Sequence, residues 1–153
     1  MNTNTQYQIA TLPQLEARWD INIANNPGDP RWLHWKATAI KNHQAGKALT
    51  FVALHHHIPI GEATLILNLS SVEINGLRVD EPYQGQGHAS KLVQAVEAYA
   101  KKEGYSTAII GVEPKETRNL AIYLKWGYDQ FVKLEITDPK QDEGLLLYYA
   151  KNL

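Results

Sequence analysis

The sequence contains no cysteine. That absence excludes disulfides, thiolate zinc sites and a cysteine nucleophile together. It also lacks any apolar run near the roughly 20 residues needed to span a membrane. Its first residues, Met1-Asn2-Thr3-Asn4-Thr5-Gln6, are polar and have no apolar core of the signal-peptide kind. Charge of one sign is missing as well: 15 basic against 16 acidic residues leave a formal net charge of −1. Such a balance gives no general attraction to nucleic acid or to an anionic membrane, and neither is expected as a partner. What is present is ordinary, with 44% hydrophobic and 20% charged residues, and 153 residues suffice for one sizeable core. The expectation is a cytoplasmic globular protein, a single domain over residues 1–153.

Hydrophobic periodicity and breaker residues divide the chain into elements. Tyr7 to Ala10 alternates as a short strand. Thr11 is placed to cap a helix that has Pro13 in its first turn and Leu12, Leu15 and Trp19 on one face. The cluster Asn25-Asn26-Pro27-Gly28-Asp29-Pro30 predicts a loop, and a second helix is expected from Arg31 to about Gln44. Trp19, Trp32 and Trp35 fall in these two helices and read first as pins to a sheet, secondly as an aromatic wall of a pocket. Leu49 to Leu54 and Ile60 to Leu69 read as strands joined by His55-His56-His57-Ile58-Pro59. Neighbours in an extended segment alternate sides, so these histidines predict a solvated hairpin connection and no metal site. A strand from about Val72 to Val79 follows.

The stretch after it organises the chain. Val79-Asp80-Glu81-Pro82-Tyr83-Gln84-Gly85-Gln86-Gly87-His88-Ala89-Ser90-Lys91 joins that strand to a helix with Leu92, Val93, Val96, Tyr99 and Ala100 at helical spacing. Glycines let backbone N–H groups point outward together, and a helix start adds its own unpaired N–H groups and the positive end of its dipole. That assembly favours a phosphate or pyrophosphate, although a plain strand-to-helix turn has the same composition. A P-loop would need Gly-Lys-Ser/Thr where His88-Ala89 follow Gly87, and a dinucleotide fingerprint would need Gly or Ala at Ser90. The helix stops at Lys101-Lys102-Glu103-Gly104, and Thr107 to Val112 is a buried strand parallel to the one before the loop. Thr117 is expected to cap a short helix closed by Gly127. Tyr128 to Ile136 and Leu145 to Ala150 end the chain as an antiparallel pair. The order β-α-α-β-β-β-α-β-α-β-β predicts an α+β fold: a mixed, mostly antiparallel sheet of about seven strands, with four helices and one parallel crossover.

Gln84-x-x-Gly87-x-Ala89 resembles the Gln/Arg-x-x-Gly-x-Gly/Ala signature of the GNAT superfamily of N-acetyltransferases. Tyr123-Leu124-Lys125-Trp126-Gly127-Tyr128 is similar to the family's Tyr-x-Lys-x-Gly-Phe/Tyr segment, one strand and one turn further on. Glu116-Thr117-Arg118-Asn119-Leu120-Ala121-Ile122 parallels its Asn-Thr-Arg-Ala-Leu-Ala-Leu helix start, with Glu116 where the family has Asn. The element order also matches the family over nearly the whole chain.

This resemblance implies acetyl-CoA as co-substrate, without a metal. Gln84, Gly85, Gln86, Gly87, His88, Ala89 and Ser90 are implied at the pyrophosphate, and the backbone of Leu77, Arg78 and Val79 at the pantetheine arm. Asn119 is a substitute for the missing Asn. It implies direct attack of an amine on the thioester, with Tyr123 protonating the departing sulfur and Glu73 as candidate base. His34, His88 and His55 to His57 are weaker candidates for that base.

The acceptor pocket is expected between about Asp20 and Gln44 and between Thr137 and Gly144, with Asp20, Asp29, Asp138, Asp142 and Glu143 as acids that could attract a cationic amine. The implied partner is a small-molecule amine acceptor, with a homodimer left open. Polyamine, aminoglycoside, amino acid and protein N-terminus are all open as acceptors. A non-catalytic acyl-CoA-binding module is the alternative function.

Overall fold

A computed structural model describes residues 4–136 and 144–153. The elements run β1 (Thr5–Ile9), α1 (Leu12–Asn25), α2 (Arg31–Gln44), β2 (Ala48–His55), β3 (Ile58–Leu67), β4 (Ser71–Val79), α3 (His88–Lys102), β5 (Thr107–Val112), α4 (Thr117–Lys125), β6 (Gln130–Ile136) and β7 (Leu145–Asn152). A short 3-10 turn, Glu81–Tyr83, precedes the Gly-rich loop and was not anticipated from the sequence. The seven strands form one sheet in the order β1-β2-β3-β4-β5-β7-β6. Every pairing is antiparallel except β4 with β5, as the crossover through α3 requires.

Local chemistry accounts for the element ends. Thr11 and Gln14 form a reciprocal capping box at the start of α1: Gln14 N–H donates to the Thr11 hydroxyl, and Thr11 N–H to the Gln14 side chain. Gly46, at φ 69°, and Gly104, at φ 91°, follow the ends of α2 and α3 in the left-handed conformation that stops a helix. Thr117 differs from expectation. It is the first helical residue of α4, and Glu116 occupies the cap position without a side-chain cap bond.

Two cores cover the two faces of the sheet. On one, Leu92, Val93, Val96 and Ala100 of α3 pack against Phe51, Leu65, Val72, Ile74 and Ile110. On the other, Leu15 and Trp19 of α1 pack against Val52 and Leu54, with Trp32 and Ile40 of α2 beside them. The buried side of α1 is Leu15, Arg18, Trp19 and Asn22, a helical i, i+3, i+4, i+7 set in which two members are polar.

Those two reach a carboxylate on β3. Arg18 Nε donates to Glu62 Oε1 at 3.2 Å, and Asn22 Nδ2 donates to the same oxygen. Arg18 Nη1 also donates to Asp80 Oδ2 and to the carbonyl of Pro59, both at 2.9 Å. Arg18 and Glu62 are 1% and 0% exposed, so each charge depends on the other for compensation. Arg18→Met should therefore destabilise the protein by about 3–5 kcal/mol, the cost of leaving a buried carboxylate without its main partner. Urea denaturation checks this, and a loss below about 1 kcal/mol would show that Arg78 takes over the pairing.

Candidate active site

β4 and β5 stay hydrogen-bonded over only four residue pairs, from Ser71 opposite Thr107 to Ile74 opposite Ile110. Beyond Ile74, β4 continues along β3 to Val79 opposite Gly61, while β5 continues along β7 to Val112 opposite Leu147. The strands thus part, and among the described residues no strand pairs with 75–79 on the β5 side. A bulge lies at the parting point. Glu62 faces Arg78 and Thr64 faces Asn75, so Ala63 opposes two residues, Gly76 and Leu77. Gly76 takes φ 61°, a conformation that glycine adopts at no steric cost.

The extra residue resets the facing of the strand. Val72 and Ile74 point to the α3 core, and past the bulge so do Leu77 and Val79. Arg78 is therefore turned to the opposite face, where its guanidinium lies 5.0 Å from the Trp32 ring centre and 5.9 Å from that of Trp19. Only the backbone of Arg78 is available on the cleft side.

Among the described residues four cavities adjoin the parting, and one of about 730 Å³, lined by Arg18, Asn22, Trp32, Arg78, Asp80 and Glu81 among others, lies beside the 3-10 turn. On the α3 side a cleft of about 320 Å³ is lined by Leu77, Val79, Gln84, Ala89, Asn119 and Tyr123, with Arg118, Ile122 and Trp126. A throat of about 100 Å³ lies between the strands and is lined by Glu73, Asn75, Gly76, Leu77, Tyr123 and Tyr148, among others. Leu77 and Tyr123 belong to both. On the α1–α2 face a cavity of about 580 Å³ shares Asn75 and Gly76 with the throat.

The Gly-rich loop closes the upper end of the cleft. Gly85 and Gly87 have φ of 74° and 86°, and a Cβ built on either would meet no atom within 4 Å. The space over them is open. Gly87 caps α3 without a side-chain bond, so the first-turn N–H groups of His88, Ala89 and Ser90 are left for solvent or an anion. Gln84 Nε2 donates to the carbonyl of Val79 at 2.9 Å, and Gln86 Nε2 to that of Pro82 at 3.3 Å. Both side chains brace the loop. The fit to a pyrophosphate is thus one of backbone.

Not every expected side chain comes to the cleft. His88 is buried and its Nδ1 lies 2.7 Å from the Tyr7 hydroxyl, so its imidazole anchors α3 to β1, and only its N–H faces the anion position. Burial and the neighbouring His55 and Lys91 charges hold the His88 pKa below the usual histidine value. Ser90 accepts from Gln94 and lines none of these cavities. Asn119 does line the cleft, with its amide nitrogen donating to Glu116 at 2.7 Å. The odd residue of the motif thereby orients its substitute. His55 ends β2 opposite Ile58, and His56 and His57 form the two-residue hairpin turn, with φ of 48° and 68°.

Of the acids proposed for a cationic acceptor, Asp20 is paired with Lys36 at 2.7 Å and Asp29 with Arg31 at 2.7 Å. Neither lines these cavities. Asp138, Asp142 and Glu143, with the rest of 137–143, lie outside the described residues. Glu73 and Tyr123 do come together, in the throat. Burial raises the Glu73 pKa above the ordinary carboxylate value; Lys133 opposes that shift and Glu135 adds to it. Burial, and then the Glu116 charge, raise the Tyr123 pKa. Tyr148, which sequence reasoning missed, lines the throat as well.

The profile of the Acetyltransferase (GNAT) family matches residues 11–128. The chain belongs to the GNAT family of acetyltransferases. Acetyl-CoA is the co-substrate of GNAT enzymes, and the open loop and unpaired β4 edge fit it. No curated protein matches the sequence significantly. Among solved structures, the IAA acetyltransferase from Bacillus cereus is 20% identical, with a TM-score of 0.70 over 97% of this chain and 99% of that one. A GNAT family acetyltransferase from Elizabethkingia anophelis with acetyl-CoA bound is 17% identical, with a TM-score of 0.72 over 99% of each chain. An acetyltransferase from Salmonella typhimurium that modifies the N-terminal serine of ribosomal protein L7/L12 is 17% identical, with a TM-score of 0.74 over 99% and 96%. At these identities the likeness is one of fold.

Gly87→Val should lower CoA affinity at least about tenfold. A β-branched residue at φ 86° is strained by roughly 1–3 kcal/mol and its methyls would occupy the anion position. Calorimetry beside a circular-dichroism spectrum checks it; unchanged affinity would place the pyrophosphate elsewhere.

Proposed function

We propose that the protein transfers the acetyl group of acetyl-CoA to the primary amine of a small molecule by direct attack, without a covalent enzyme intermediate. One observation carries this reading. Glu73, on the α1–α2 side of β4, and Tyr123, on α4 at the other side, line the same narrow throat. A base for the incoming amine and an acid for the departing sulfur belong at opposite ends of one reacting bond pair.

Acetyl-CoA, when bound, supplies an activated acetyl thioester. The loop N–H groups from Gly85 to Ser90 hold its phosphates, and the free edge of residues 77–79 orients the arm. A backbone N–H of this edge would polarise the acetyl carbonyl. Glu73, ionised, accepts the proton that the ammonium must lose. Its raised pKa brings it nearer the working pH, where a base is most effective. Tyr123 keeps its proton past its usual range and donates it to sulfur. Asn119, held by Glu116, offers its carbonyl oxygen toward the arm.

Two other readings each have a supporting observation. Glu116 in place of the family's Asn favours a binding module, because it removes the residue that would otherwise serve the co-substrate arm. The L7/L12-modifying relative favours a protein amine as acceptor. For a homodimer, the support is the outer strand β6, where Phe131, Leu134 and Ile136 are exposed on an unpaired edge.

Kinetics separate these. Tyr123→Phe removes one oxygen and should lower kcat about a hundredfold, with acetyl-CoA affinity retained. A kcat within about twofold of the parent would make Tyr123 a packing residue. For Glu73, rate should rise with pH through its raised pKa, since only the ionised form accepts a proton. Glu73→Gln should lower kcat and erase that acidic limb; a native pH profile in the variant removes Glu73 from the mechanism.

A further inference from the structure

The cavity on the α1–α2 face has a chemical bias that the throat lacks. Its charged lining residues are Arg78 and Lys47, with no carboxylate among those that line it. Trp19, Trp35, Ala39 and Ile66 supply its apolar walls. Lys47 is exposed and has no ion-pair partner among the described residues.

Arg78 is the better placed cation. Its guanidinium folds back over the bulge, where Nη1 lies 3.3 Å from a Cβ built on Gly76. That is the wall shared with the throat. Its Cζ lies over the Trp32 and Trp19 rings, at 5.0 Å and 5.9 Å from their centres. Its polar contacts are long and few: 3.5 Å to the Gly76 carbonyl and 3.5 Å to Glu62 Oε1. That carboxylate oxygen is already taken by Arg18 and Asn22. A guanidinium carries five N–H donors in a fork that matches a carboxylate, so most of its donor capacity is unspent.

We propose that the acceptor is a primary amine that also carries a carboxylate, in the simplest case an α-amino acid with an apolar side chain. Arg78 receives the carboxylate, Lys47 adds charge, and the Trp19–Trp35 wall takes the side chain. The amine then points past Asn75 into the throat, toward Glu73. The chemistry balances without further reactants: the N–C bond forms, the C–S bond breaks, and the ammonium proton and the thiol proton pass through Glu73 and Tyr123. This inference rests on the acetyltransferase reading of the throat.

The test pairs apolar amino acids with their decarboxylated amines: phenylalanine with phenethylamine, leucine with 3-methylbutylamine, tryptophan with tryptamine. CoA release should give at least one amino acid a kcat/KM about ten- to a hundredfold above its partner, the worth of a charge-assisted contact. Arg78→Gln should bring that ratio close to one. By calorimetry, 3-phenylpropionate should bind the CoA-loaded protein and weaken at least about tenfold in Arg78→Gln, with a smaller loss in Lys47→Gln. Equal or better turnover of the decarboxylated amines overturns the proposal and leaves the transferase reading standing. Carboxylate binding that depends on Arg78, with no turnover of any amine, upholds this site and sinks the transferase reading. Absence of both acid preference and 3-phenylpropionate binding overturns the proposal outright, whether or not Arg78→Gln folds.

Discussion

The end of the β4–β5 ladder at Ile74 is the constraint on which the rest depends. Each strand has a stronger attachment elsewhere, β4 antiparallel to β3 and β5 antiparallel to β7. Parallel pairing is slightly weaker per residue, so four pairs yield to two longer antiparallel ladders that twist apart. The loss of hydrogen bonds at the parting is also what leaves a backbone edge free for a ligand to complete. The opening occurs where the sheet's own geometry leaves backbone unpaired.

The bulge at Gly76 then divides the chemistry between the two sides. Side chains alternate with a period of two, and one inserted residue changes the parity of everything after it. Without it, Gly76 and Arg78 would follow Val72 and Ile74 into the α3 core, and Leu77 and Val79 would face α1. With it, the apolar residues stay on the co-substrate side and the guanidinium crosses to the other. Glu62, in register with Arg78, is held on that same side by Arg18 and Asn22. A buried ionic cluster of this kind is poor as a source of stability, because desolvation offsets most of its attraction. Its use here is positional: it ties α1, β3 and the end of β4 together beneath the tryptophans.

What the sequence disclosed follows the range of the interactions involved. The turn at the Gly-rich loop, the cap at Thr11 and the helix stop at Gly104 are set by residues a few positions apart, and each falls where the sequence places it. The strand bulge was also legible, since Val72, Ile74, Leu77 and Val79 break alternation by one at a glycine, but the strand was read as regular. The Arg18–Glu62–Asp80 cluster joins residues 44 and 62 positions apart, and no local pattern announces it. The partner of the His88 imidazole is hidden for the same reason: the residue's place beside the loop is local, whereas Tyr7 is 81 residues away. Asp20 looked available because Lys36, 16 positions on, could not be seen turning toward it, whereas the Asp29–Arg31 pair is local and was open to reading.

One physical cause sets both groups in the throat. Burial is the largest influence on Glu73 and on Tyr123, and it disfavours the charged form of each. For a carboxyl proposed to accept a proton, this raises basicity toward neutral pH. For a phenol proposed to donate one, it guards against premature ionisation. The narrowness of the opening therefore does more than position two side chains. A wider parting would admit water, return both groups toward their ordinary values, and weaken base and acid alike. The β4–β5 ladder ends one residue past Glu73, at Ile74, so the carboxyl stands where the strands are still paired and the throat opens from it toward Leu77.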